Sequence, residues 1–250
     1  MDAKVLAAIN LHAVLRNMED LVNLDEVTRQ IFSQQDASIS FHLPGVDKLY
    51  MNLREGECTC CRDACKTGIK LFFPKPEVLN GMVDGTKNPL PTKGFTKLGF
   101  LTGPFKEAAD RLSFFLQPTE ENLKDEDFRR VSTLLTANTV FFAISEVANH
   151  DPEGIACRNR IMDGVIQVRV GDDYAVHLIK EDGKLRTEKG VHPHPHAFME
   201  FKDVETAEGI LRGTLDSFAA IGCGDLKISG QISMIDNLNK ILFLVARYLS

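Results

Sequence analysis

Tryptophan is absent from the 250-residue sequence and tyrosine occurs only three times, whereas phenylalanine occurs sixteen times. Phenylalanine has no polar tip, so this aromatic content favours dry interiors over wet binding faces. Basic residues are outnumbered: 29 Lys and Arg stand against 35 Asp and Glu, a net charge of −6. No basic cluster is available to neutralise phosphates, which argues against nucleic acid as a partner. No run of apolar residues looks long enough to cross a bilayer, so no transmembrane segment is expected. The stretch MDAKVLAAINLHAVLRNMED carries an acidic Asp2 and polar breaks at Asn10 and His12. No secretory leader is therefore read there. The six cysteines then point to reduced thiols and a cytoplasmic setting.

Catalytic signatures are missing as well. The sequence has no Walker phosphate loop, no HExxH and no GxSxG. Gly222-Cys223-Gly224 opens like a dinucleotide-binding turn, but Lys227 stands where the third glycine belongs. The carboxylates Asp125, Glu126 and Asp127 sit at the start of a helical pattern, where negative charge complements the helix dipole. An enzyme is not expected.

What the sequence does contain is a repeat. Shifting the chain by 128 positions brings GMVDGT at Gly81 onto GILRGT at Gly209. Without a gap, Phe73 then meets Phe201, Glu77 meets Glu205, Gly94 meets Gly222 and Leu98 meets Leu226. The strands upstream align only after a gap of a few residues. Such a period is too long for a solenoid, so each copy is expected to be a domain. Residues 1–118 form the divergent copy and residues 119–250 the clearer one. A pseudo-dimer of this kind could also hide one apolar face permanently, or leave one for a protein partner.

Periodicity places the elements. Leu11, Val14, Leu15, Met18, Leu21 and Val22 recur at helical spacing. Strands are expected at 39–43, 49–53 and 69–73, a helix at 76–85, a strand at 97–101 and a helix from Phe105 to Leu116. A long helix spans about 126–149 and is apolar on most sides in its later half, as for a buried helix. Strands follow at 165–170, 174–179, 184–188 and 197–201. Asp203 is placed to cap a helix running to Arg212. A short apolar stretch covers 217–221 and a strand covers 226–228. The last helix aligns Ile232, Ile235, Leu238, Leu242, Val245 and Leu249 in one stripe.

This order, with the strand FMEFKD, the helix end Leu211-Arg212-Gly213, the apolar 218–221 and the glycine-bounded GDLKISG at 224–230, resembles the sterol carrier protein 2 (SCP2-like) family. The resemblance covers roughly Gly164 to Ser250, and more faintly 39–116. It implies an α+β fold in two domains, each a small, mostly antiparallel sheet covered by helices around an apolar core or tunnel. It also implies lipid binding: a hydrophobic small molecule (acyl lipid, isoprenoid or sterol-like) is carried without catalysis. The ligand-contact candidates are Phe198, Phe201, Ile210, Leu211, Phe218, Ile221, Ile228, Ile235, Leu238 and Leu242, because a tunnel needs apolar side chains on sheet and helices alike. The same residues would equally fill an ordinary core.

Two clusters suggest other chemistry. GECTCCRDACKTG holds Cys58, Cys60, Cys61 and Cys65, a full set of thiolates for zinc or an iron–sulfur cluster. Their spacing is closer than zinc pairs prefer. If the segment is a strand, Cys58 and Cys60 share a face and Cys61 points away. The alternative function is thus metal binding or thiol redox chemistry on the same scaffold, with Arg62 and Lys66 near the thiols. HPHPH places His192, His194 and His196 at alternate positions, enough imidazoles for zinc, although Pro193 and Pro195 equally suit a solvated edge.

Overall fold

The computed structural model describes residues 1–249. The chain forms two compact units, Asp2–Leu135 and a second from Thr136 onward.

In the first unit, helix α1 (Ala3–Ile9) runs through a π turn at Asn10–Val14 and a 3₁₀ turn at Leu15–Asn17 into α2 (Met18–Leu24). Helix α3 (Glu26–Phe32) follows, then strands β1 (Asp36–Leu43), β2 (Asp47–Arg54), β3 (Glu57–Cys61) and β4 (Ile69–Phe72). Next come α4 (Pro76–Val83), β5 (Leu90–Lys93), α5 (Leu98–Thr102) and α6 (Pro104–Leu116). The sheet order is β3-β2-β1-β4-β5. All pairs are antiparallel except β1 with β4. Ala37, Ile39, Phe41, Leu49, Met51 and Leu53 alternate onto one face and meet the helices in a core that includes Phe32, Phe73 and Phe105.

Helix α7 (Glu126–His150) follows. Its residues up to Leu135 belong to the first unit, where Leu135 joins the core and Phe128 and Val131 pack against it, and those from Thr136 onward belong to the second. By length and composition alone α7 is apolar enough to cross a membrane, but 83% of its most apolar window is buried, which marks it as a core helix.

The second unit continues with α8 (Pro152–Arg158), β6 (Gly164–Val170), β7 (Tyr174–Glu181), β8 (Lys184–Lys189), β9 (Ala197–Phe201), α9 (Val204–Leu211), α10 (Ser217–Cys223), β10 (Leu226–Gly230) and α11 (Ile232–Leu249). Its sheet order, β10-β9-β6-β7-β8, is the same topology, with β6 and β9 as the parallel pair. The expected α+β class, in two sheet-and-helix units, is found. Helix α7 is fastened to β8 by buried and part-buried bonds. Thr187 Oγ1 donates to the Phe141 carbonyl (2.9 Å), and Asn149 bonds both the carbonyl (2.7 Å) and the N–H (3.1 Å) of Leu185. On α11, Met234, Ile235, Leu238, Ile241 and Val245 form the buried stripe. Ile235→Val removes one buried methylene there. It should cost about 1 kcal/mol, read as a lower urea midpoint with an unchanged slope.

The repeat is tighter than the sequence suggests. Cross-strand neighbours Ile39, Met51 and Cys60 of the first sheet correspond to Ile166, Leu178 and Thr187 of the second, a shift of 127. Beyond the loop before β4 the shift becomes 128, with Ile69 matching Ala197. One inserted residue, rather than a few, separates the two registers.

The repeated G-x-x-x-G-T phrase is a helix stop. Gly85 and Gly213 adopt φ +69° and +72°, a conformation L-residues rarely adopt. The chain then folds back. Thr86 and Lys87 N–H both donate to the Gly81 carbonyl (2.7 and 2.9 Å), as Thr214 and Leu215 do to Gly209 (2.8 and 2.9 Å). Gly81 and Gly209 lack the Cβ that would press on Lys87 and Leu215, both 2.8 Å from that position.

After the shared stop the copies diverge. The expected strand at 97–101 is helix α5, and the edge place beside β4 is taken earlier, by β5. Pro89 and Pro91 explain the exchange: they oppose a helix there, and a proline fits an edge strand. In the second unit Asp216 caps α10 through Ala219 N–H (2.8 Å), and β10 takes the edge.

Candidate functional site

The proposed apolar contacts converge on the second unit, but not all on one surface. Phe201, Ile235 and Leu238 are buried in its core. Ile210 and Leu211 at the end of α9, Ile228 in β10 and Leu242 in α11 are half-buried. Helix α10 turns Phe218 and Ile221 outward, at 82% and 41% exposure. Phe198 corrects the expectation of a common surface. On β9, Ala197, Met199 and Phe201 are buried toward the core, so strand alternation sends Phe198 to the opposite face, in register with Gln167 and Ser229. Asp203 caps α9 as expected, accepting from Thr206 N–H (2.8 Å) and Oγ1 (2.7 Å). The backbone N–H bond of Thr206 holds its carboxyl below the usual range.

Two recesses among the described residues have polar as well as apolar linings and are not apolar tunnels. One, of about 610 Å³, lies among Arg169, Glu200, Lys202, Asp225 and Lys227. The other, of about 300 Å³, is bounded by Ser40, Tyr50, Cys65, Thr67 and Lys70. Phe218 on α10 and Phe243 on α11 are the most exposed large apolar side chains of the second unit among the described residues, at 82% and 75%.

The cysteine and histidine segments occupy equivalent places. Each connects an edge strand to the strand that lies parallel to the first strand of its sheet, so each crosses the face of the sheet opposite the core. In the second unit the strap is held by Gln167, which the sequence reading missed. Its Nε2 donates to the Val176 (2.9 Å) and Gly190 (3.3 Å) carbonyls, and its Oε1 accepts from His192 N–H (2.8 Å). The one visible signal was a glutamine inside the apolar strand VIQVRV. The imidazoles serve the backbone rather than a common centre. His192 Nδ1 accepts from His194 N–H (3.2 Å), His196 Nδ1 accepts from Val165 N–H (3.1 Å), and buried His177 Nδ1 donates to the Gly190 carbonyl (3.1 Å).

The four-thiol set is split between the two faces of the first sheet. Cys58 and Cys60 are buried on the core side, opposite Leu53 and Met51. Cys61 is half-buried and Cys65 exposed on the other side. Among the described residues, no group of three or more His, Cys, Asp or Glu is placed to hold a metal ion. The split follows from strand alternation, and it runs against the expected zinc or iron–sulfur centre. The Cys60 thiol is pushed well up by its bond to Cys58 and by burial, which makes it an inert interior thiol.

One polar group within the first unit reads in the sequence only as a polar break in the apolar stretch near residue 12. His12, at 1% exposure, places Nε2 2.9 Å from Asp47 Oδ2, and Arg62 Nη1 stands 2.7 Å from the same oxygen. Burial would raise the Asp47 carboxyl, but His12, the Lys48 N–H and Arg62 bring it down to about 2. The π turn at Asn10–Val14 carries His12. Nearby, Asn10 bonds Asn80 of α4 (3.0 Å). The cluster ties helix to sheet and faces neither recess.

Solved structures similar to this chain include a UbiJ-SCP2 ubiquinone synthesis protein, 18% identical over 45% of this chain and 96% of that one, with TM-score 0.35. The sterol carrier protein domain 2 of Helicoverpa armigera is 17% identical over 45% and 89%, with TM-score 0.36. Sterol Carrier Protein 2 Like 2 from Aedes aegypti is 18% identical over 42% and 95%, with TM-score 0.32. No family model matches the chain, and no curated protein does.

Proposed function

We propose that this protein is a non-catalytic carrier of a hydrophobic small molecule, an acyl, isoprenoid or sterol-like lipid. It is built from two SCP2-like copies, 1–118 and 119–250, of which the second is the binding copy. The observation that carries the reading is α10. It is a short helix that leaves Phe218 and Ile221 to solvent, beside strand β10 with half-buried Ile228. A lipid seated against the outer side of α10 would be covered by Phe218 and Ile221, with half-buried Ile210, Leu211 and Ile228 as further apolar side chains of the same unit. The order of strands, capped helix, short helix, glycine-bounded strand and apolar last helix supports the same reading. In the first copy the corresponding segment is the proline-bearing strand β5, which offers no such helix.

A native mass spectrum beside the denatured mass, followed by titration with a fluorescent fatty acid, tests the proposal. The expected result is saturable binding of one probe per chain. Phe218→Ser with Ile221→Ser should weaken it about 100-fold, roughly tenfold per apolar side chain withdrawn from the ligand. Both side chains point outward, so the fold should be unaffected. Absence of binding by fatty-acid, isoprenoid and sterol probes alike would sink the carrier.

A further inference from the structure

The strap of the first unit holds two thiols that the rest of the molecule does not use. Cys61 ends β3 in register with Tyr50, on the sheet face away from the core. The chain bends at Arg62 and Asp63 and returns Cys65 to the same face, where Asn52 Nδ2 reaches its Sγ at 3.8 Å. Tyr50 and Asn52 are neighbours on one side of β2, so strand register and loop geometry independently bring the two thiols to one spot. Within the same bend the Cys61 thiol donates to the Asp63 carbonyl (3.5 Å). Cys65 is open to solvent and borders the 300 Å³ recess. Cys58 and Cys60, in contrast, are sealed on the opposite face.

We propose that Cys61 and Cys65 are a thiol–disulfide exchange site that closes the strap into a small covalent ring on meeting a low-molecular-weight disulfide such as glutathione disulfide. Cys65, as thiolate, attacks one sulfur of the reagent. Its S–S bond breaks and one small thiolate departs, leaving a mixed disulfide on Cys65. Cys61, as thiolate, attacks the Cys65 sulfur and expels the second small thiolate. Two protein thiols become one disulfide, two electrons pass to the reagent, and the two protons end on the two released thiols. Cys61 is the resolving member. Burial and the neighbouring Cys65 raise its thiol, so closure quickens as the solution becomes more alkaline.

The test is incubation of the whole protein with glutathione disulfide, then alkylation under denaturing conditions and peptide mapping. Trypsin cuts after Arg62, so a Cys61–Cys65 bridge joins two peptides. The expected product has lost two hydrogens, carries that cross-link and reverts with dithiothreitol. Cys61→Ser should trap glutathione on Cys65, and Cys65→Ser should abolish the cross-link. Exposed Cys223 serves as the internal standard of reactivity. The proposal is overturned if Cys223 becomes glutathionylated while Cys61 and Cys65 remain thiols. It is equally overturned if the unaltered protein accumulates the mixed disulfide on Cys65 without closing.

Discussion

Gly230→Ala should be among the most damaging single-atom changes in the second unit, costing about 3–5 kcal/mol. Two independent terms add at this position. Gly230 ends β10 at φ +78°, and a side chain there pays about 1–2 kcal/mol of backbone strain. In addition, a Cβ would overlap the His196 carbonyl oxygen and crowd the Ala197 Cα at 3.0 Å. Both neighbours are backbone, so nothing can swing aside. Relief requires prying β10 from β9 at the Gly230–Ala197 pair. That loosens the bond from Gln231 N–H to the same His196 carbonyl (2.9 Å). Gly213 supplies the control. It adopts φ +72° with nothing within 4 Å of the Cβ position, so Gly213→Ala pays the strain term alone, about 1–2 kcal/mol. Urea unfolding of both variants, with hydrogen exchange at β9 and β10 to localise the loss, separates the terms. Equal costs would mean that the close approach of β10 to His196 is not present in solution.

Asp25→Ala should cost the first unit about 3 kcal/mol. Asp25 closes α2 and caps α3, accepting from Thr28 N–H (2.9 Å) and Oγ1 (2.6 Å). It also takes a two-pronged contact from Arg111 of α6, Nε to Oδ2 and Nη2 to Oδ1, each 2.6 Å. Removing the carboxylate deletes a cap worth about 1 kcal/mol and leaves a part-buried guanidinium, stacked over Phe115, without its counter-charge. Arg111→Lys keeps the charge but loses the fork, and should cost less. The acid dependence has a definite sign. Burial raises the Asp25 carboxyl, but the bonds from Arg111 and Thr28 outweigh it, and the group lies below its ordinary 3.8. Its stabilisation is therefore complete above the unfolded-state value and is lost as the pH falls through the lower folded-state value. The difference between Asp25→Ala and the unaltered protein should shrink over that interval. A difference that stays constant from neutral pH into strong acid would show that the ion pair contributes nothing.

Much of this architecture was legible without coordinates. Helical spacing located α7 and α11, alternation located eight of the ten strands, and the Asp203 cap and the duplicated helix stop could be read directly. These features are local: a cap, a turn or an apolar face is written within a few residues by chain geometry. The internal repeat was legible for a related reason. Two segments that must make the same turn keep the same glycines and threonine.

What the sequence could not decide was anything requiring a second strand. Cys58, Cys60, Cys61 and Cys65 stand together in the chain, yet the sheet sends two inward and two outward. The three histidines look like ligands until Val165 and His194 N–H groups occupy the Nδ1 atoms of His196 and His192. Phe198 and Phe201 look like one wall until β9 places them on opposite faces. The segment 89–102 reads as turn and strand, but whichever stretch reaches the free edge of β4 first becomes the strand, and the prolines settled that in favour of β5. Pattern fixes which way a side chain points from its own strand or helix. Only the assembled sheet determines what stands opposite it, because partners far apart in the chain are chosen by long-range register and burial.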